Sequence, residues 1–178
     1  MPTPFRIVTF PTDLTPIDEE TVLFIRSFLS SGVEECHVFY VLNMLDEIPM
    51  GYPIPLDYYK EVELATAKEV RKIADLLSVE KVNITIGVYR GRPDQTILEV
   101  SAAQKSDLIL VLSHGKGVVG RIFMGSTSTS ILHNAPIPVL LLKPDQVNRN
   151  LLQHSGRAEA PVNIFDSIVT AGEVRTQY

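Results

Sequence analysis

Cysteine is almost missing from this chain: Cys36 stands alone among 178 residues. A single thiol forms no internal disulfide and builds no cysteine-cluster metal site. Tryptophan is absent, and no apolar run approaches the roughly 20 residues a membrane helix needs. Positive charge is not in excess. Sixteen Lys and Arg against 21 Asp and Glu leave a formal net charge of −5, whereas broad nucleic-acid binding wants a clustered basic face. Lys68, Arg71 and Lys72 come nearest to one, but they alternate with acids on what reads as one solvated helix. Residues 1–10 carry one arginine and no long apolar core, so they do not read as a secretory signal. The expectation is a soluble cytoplasmic protein with no membrane span, no nucleic-acid partner and no metal site.

What is present is a globular composition, 45% apolar and 21% charged, with modest glycine and proline. The length suits one domain, or one domain and a tail, and such a chain buries roughly two-thirds of its unfolded surface. Residues 5–10 predict a short strand, ended by Pro11, Thr12 and Asp13. Thr15 is expected to cap the next helix, with Pro16 at its first position and Asp18 at capping-box spacing. Gly32 stops that helix. Residues 36–42 form the second strand and feed a Pro-rich loop at 46–55. A helix over 57–78 turns Val62, Val70, Ile73 and Leu77 to one face. Residues 82–88 are the third strand. Gly91 and Pro93 lead into a third helix with Ile97, Leu98, Ala102 and Ala103 as its buried side. Residues 107–112 are the fourth strand, 113–125 a Gly-rich loop, 126–133 a Ser/Thr-rich helix and 138–143 the fifth strand. The unbroken hydrophobicity of the last two strands indicates burial on both faces.

This alternation predicts an α/β fold over residues 1–144, a doubly wound five-stranded parallel sheet with helices on both faces; the strand order taken for it is 3-2-1-4-5. Residues 145–178 differ in texture, with one apolar cluster at 164–169, and form either a tail or a partner-packing arm.

In such a sheet, ligands bind beyond the carboxyl ends of the strands, where the chain switches direction. In that strand order the loops after strands one and four would face each other across one crevice. The second loop has anion-binding chemistry. Gly115, Gly117, Gly120 and Gly125 let backbone approach a ligand, and Ser126 opens a helix whose first amides point outward. Ser126, Thr127 and Ser128 add hydroxyl donors, so phosphate is the natural ligand. Ordinary turn glycines and a serine cap are the plain alternative. Asp13 could accept from a nucleobase amino group or a ribose hydroxyl, or only stabilise its turn. Gly115 to Gly120 spell G-x-G-x-x-G, but after the fourth strand and without the acid-ended strand that a dinucleotide fold places about 20 residues on. There is no P-loop. Ser113, His114 and Asp13 could supply a Ser-His-Asp set, but no nucleophile elbow surrounds the serine. His37 reads as a satisfied sheet histidine.

Four stretches then carry a resemblance: Pro11–Asp13 (PTD), 91–99 (GRPDQTILE), 107–115 (DLILVLSHG) and 125–144 (GSTSTSILHNAPIPVLLLKP). In order and spacing the chain resembles the universal stress protein family over residues 5–143. Its nucleotide-binding members show G-x2-G-x9-G-[ST] after the fourth strand. Gly115, Gly125 and Ser126 match the second half, while Leu112 replaces the first glycine. The resemblance implies a dimer that binds ATP or AMP, with or without Mg. Asp13 and the Val41 backbone would hold the adenine; Gly115, Gly125, Ser126 and Ser128 would hold ribose and phosphates. It also implies pairing of the fifth strand with its copy through Val139, Leu140, Leu141 and Leu142, which would cover an apolar edge. Leu112 either clashes with the ligand or points into the core. Some members lack the motif and do not bind nucleotide, so a protein–protein module of the same fold is the alternative. No efficient catalysis is expected, since His114, Lys116 and Arg121 are the sole local helpers.

Overall fold

The structure is a computed structural model that describes residues 3–43, 56–113 and 125–143. The loop at 46–55, most of the Gly-rich loop including Gly115, and the extension at 145–178 lie outside the described residues. Strand β1 (Ile7–Pro11), helix α1 (Glu19–Ser30), β2 (Glu35–Leu42), α2 (Leu56–Leu77), β3 (Asn83–Arg90), α3 (Pro93–Ala103), β4 (Leu108–Leu112), α4 (Ser126–Asn134) and β5 (Val139–Leu142) follow in order. The strands form one sheet in the order β3-β2-β1-β4-β5, and every pairing is parallel. The doubly wound reading therefore holds.

Strand alternation builds two cores. Val8 and Phe10, Cys36 and Val38, Leu108 and Leu110, and Leu140 and Leu142 point to one face. There they meet Ile25, Phe28 and Leu29 of α1 and Val70, Ile73 and Leu77 of α2. The intervening residues Phe39, Val41, Ile109, Val111, Val139 and Leu141 point to the other face, against Ile97 and Val100 of α3 and Ile131 and Leu132 of α4. Each fully buried side chain of this size contributes about 1.5–3 kcal/mol, so sheet register is strongly specified from both sides. Cys36 lies inside the first core, and burial pushes its thiol pKa up to about 12, which leaves it inert.

Two local expectations need correction. Helix α1 starts at Glu19, and Asp18 is its cap: the carboxylate accepts from the Thr21 amide at 2.9 Å and the Thr21 hydroxyl at 2.8 Å. Thr15 is engaged upstream instead, its amide and hydroxyl both on Asp13 Oδ1 at 3.1 and 2.8 Å. Leu14, between them, takes a left-handed φ of 65°, so Pro16 lies in the connection and not in a first turn. In α3 the buried residues are Thr96, Ile97, Val100 and Ser101, while Ala102 and Ala103 are exposed. Ser101 can sit inside because its hydroxyl donates to the Ile97 carbonyl at 2.7 Å and meets the Thr9 hydroxyl at 2.9 Å. That buried polar contact fastens α3 to the central strand.

Candidate functional site

The carboxyl ends of the inner strands open into a cavity of about 660 Å³. Its floor is Val41 and Val111 from the strands with Ile97 and Ile131 from the helices, all members of the α3/α4 core or its border. Pro11, Thr12 and Asp13 form one wall, and Gly125, Ser126, Thr127 and Ser128 another. The two loops singled out from sequence thus share one crevice. Nine of the ten anticipated residues line it; Gly115 lies outside the described residues.

Each wall has a local cause. The Thr12 amide donates to the Phe39 carbonyl at 2.8 Å, which carries the sheet's hydrogen bonding one residue past β1. Thr12 Oγ1 accepts from the Leu14 amide at 3.0 Å, and Asp13 closes the next turn through Thr15. Asp13 therefore does perform the turn role, while also facing the cavity. On the opposite wall Gly125 is the N-cap of α4 and supplies no capping side chain. The first amides of a helix lack intrahelical acceptors, and the dipole adds partial positive charge there. A Cβ built on Gly125 meets no atom of the described residues within 4 Å. Among the described residues, the bare backbone thus faces open space.

Leu112 sits at the rim. It lines the cavity, yet it is half-buried and packs against the α1/α2 core with Leu110 and Leu142. Alternation forces this, because Val111 already takes the α3/α4 side. Ser113 is buried, its amide bound to the Leu142 carbonyl at 2.8 Å, and it is not among the lining residues.

Sequence reasoning missed the third wall. Arg92, Pro93 and Asp94 line the cavity from the start of α3, together with Tyr40 and Asn43 from the end of β2. The strand-end rule applied to the β3–α3 turn would have found them, since α3 crosses back over the sheet toward β4 and brings its N-terminus to the crevice. Arg92 Nη2 donates to Asp94 Oδ2 at 3.0 Å, and Ser130 Oγ donates to the same oxygen at 3.1 Å. The Arg92 hydrogen bond, with help from Ser130, holds the Asp94 carboxyl below its ordinary range.

Away from the cavity, His37 is the satisfied sheet histidine expected: Nδ1 meets Thr85 Oγ1 at 2.7 Å and Nε2 meets Tyr89 OH at 2.9 Å. Gly87 makes room for this pair, since a Cβ there would lie 2.6 Å from the Tyr89 ring and 2.9 Å from His37 Nε2.

Comparison with known proteins gives the lineage. Residues 4–143 match the universal stress protein family. The chain belongs to that family. A universal stress protein of Methanocaldococcus jannaschii is 24% identical over 143 residues, covering 78% of this chain and 82% of its own. One from Thermus aquaticus is 43% identical over 56 residues, 32% of this chain and 41% of that relative's length. Among solved structures, the hypothetical protein PH0823 superposes with a TM-score of 0.60 at 23% identity, over 78% of this chain and 95% of that one. A universal stress protein crystallised in complex with cAMP gives 0.53 at 14% identity, over 79% and 98%. These likenesses establish the universal stress protein fold. No helix among the described residues is long and apolar enough to cross a membrane.

Proposed function

We propose that the crevice binds an adenine nucleotide, ATP or AMP, and that the protein works as a dimeric cytoplasmic stress-response or signalling module. The observation that carries this reading is the convergence of Pro11–Asp13, Val41 and the uncapped α4 N-terminus on one cavity of about 660 Å³. An apolar floor suits a purine, and a small number of placed polar groups fixes its orientation. Asp13 and the Val41 backbone take the base. Gly115, Gly125, Ser126, Thr127 and Ser128 take ribose and phosphate, where helix amides favour an anion. The cAMP held by one relative of the same fold is an adenine nucleotide of this kind. Triphosphate and Mg belong to the same proposal at the open, phosphate-bearing end. Binding shifts the population of the protein's states, and a partner protein reads the nucleotide-bound one.

The dimer forms at β5, the edge strand beside β4. Val139, Leu140, Leu141 and Leu142 are all buried within their own subunit, so the second copy pairs with the backbone of the edge and leaves these side chains in place.

The test is direct. The protein lacks tryptophan, so co-purifying nucleotide shows as excess absorbance near 260 nm. Calorimetric titration with adenosine, AMP, ADP and ATP then ranks the ligands. Absence of binding by all four would overturn the nucleotide reading in favour of a protein–protein module of the same fold.

A further inference from the structure

We infer that Arg92 is a phosphate-selecting residue of the crevice, kept at its rim by Asp94. This rests on the adenine-nucleotide reading and deepens it, because it assigns the preference for phosphorylated ligands over the bare nucleoside to a named side chain. Among the described residues that line the cavity, Arg92 carries the one positive side chain, beside the acids Asp13 and Asp94. Its place is fixed by a shared acceptor. Arg92 Nη2 and Ser130 Oγ both donate to Asp94 Oδ2, at 3.0 and 3.1 Å. The guanidinium therefore lies close to the middle of α4, and about one helical turn, ~5.4 Å, separates Ser130 from Ser126 at the helix start. A phosphate seated on those first amides then lies on the order of one Debye length, roughly 10 Å, from the resting guanidinium, so the two charges interact most strongly at low salt.

Arg92 also stands open to solvent. Its side chain is 59% exposed, against 20% for Asp94. Ion pairs that open to solvent are weak, so a phosphate can compete for the guanidinium, whose planar donors match its oxygens. Asp94 stays behind in either state, held by Ser130. Without Arg92 it is an uncompensated carboxylate beside the phosphate. One residue thus attracts the anion and also masks a repulsive neighbour.

The experiment is calorimetric titration of adenosine and AMP into the wild-type protein, Arg92→Gln and Asp94→Asn, at low and moderate salt. Arg92→Gln is expected to weaken AMP by about three- to tenfold and to flatten its salt dependence, with adenosine held within about twofold. Asp94→Asn keeps an acceptor for Ser130 and is expected to tighten AMP by about threefold with adenosine again unmoved. Equal loss of AMP and adenosine in Arg92→Gln, or AMP affinity unchanged there, would overturn the assignment while leaving the nucleotide reading intact. A wild-type protein that binds neither ligand would remove that reading and this inference with it.

Discussion

Replacing Leu112 by glycine restores the residue that nucleotide-binding relatives carry, and it separates two accounts of this position. If the leucine obstructs the ligand, its removal tightens binding. The packing argues otherwise. Leu112 is half-buried against the α1/α2 core, on the side of the sheet away from the cavity floor. Loss of a half-buried leucine removes about 1–1.5 kcal/mol of transfer free energy. Glycine inside a strand costs about 0.5–1 kcal/mol more. The sum, about 2 kcal/mol, lowers the melting temperature by about 4–8 °C for a domain of this size. Nucleotide affinity should change by less than about threefold, since cutting a side chain that packs into the core opens little room at the ligand. Urea denaturation and calorimetric AMP titration on the same preparation measure both quantities. A tenfold or greater gain in affinity with unchanged stability would refute the packing argument and make Leu112 a plug.

Three further outcomes are expected. Gly125→Val adds a side chain where no described residue lies within 4 Å, so the fold keeps its stability within about 1 kcal/mol; AMP binding drops by about tenfold or more as the helix amides are covered, and undiminished affinity would place the phosphate elsewhere. Burial holds the His37 pKa below its ordinary 6.5, so the folded state takes up fewer protons than the unfolded one; stability is full above about pH 6.5 and declines as pH falls, and chemical denaturation between pH 7 and 5 should show a flatter slope in His37→Phe. Asp18→Ala removes the α1 cap and should cost about 1 kcal/mol, whereas Thr15→Ala, at a residue outside the helix, should cost less; the reverse order in thermal melts would restore the earlier helix start.

The layering was legible because β4 and β5 are apolar throughout and the helix at 57–78 has a periodic apolar face; the strand order came with the doubly wound architecture and not from those residues. What escaped the sequence has identifiable causes. Thr15-Pro16 and Asp18 both offer a helix start, and only the turn at Asp13, with Leu14 at positive φ, decides between them. The buried side of α3 was misjudged because hydrophobicity passes over Thr96 and Ser101, and Ser101 is buried through specific hydroxyl partners. Pro11–Asp13 and Gly125–Ser128 were found by combining strand-end position with backbone chemistry. Arg92 and Asp94 were missed because charged residues at a helix start look like solvated surface until α3 is laid beside α4.

The sheet divides labour between its two sides. Neither α1 nor α2 supplies a described residue to the crevice, and contact with their side comes through strand ends such as Tyr40 and Leu112. Mutational drift on the α1/α2 side can therefore tune how firmly the domain holds together while ligand choice stays constant. Redesign of what the crevice accepts, in turn, can be confined to α3, α4 and the strand tips, with the opposite layer left as an untouched chassis.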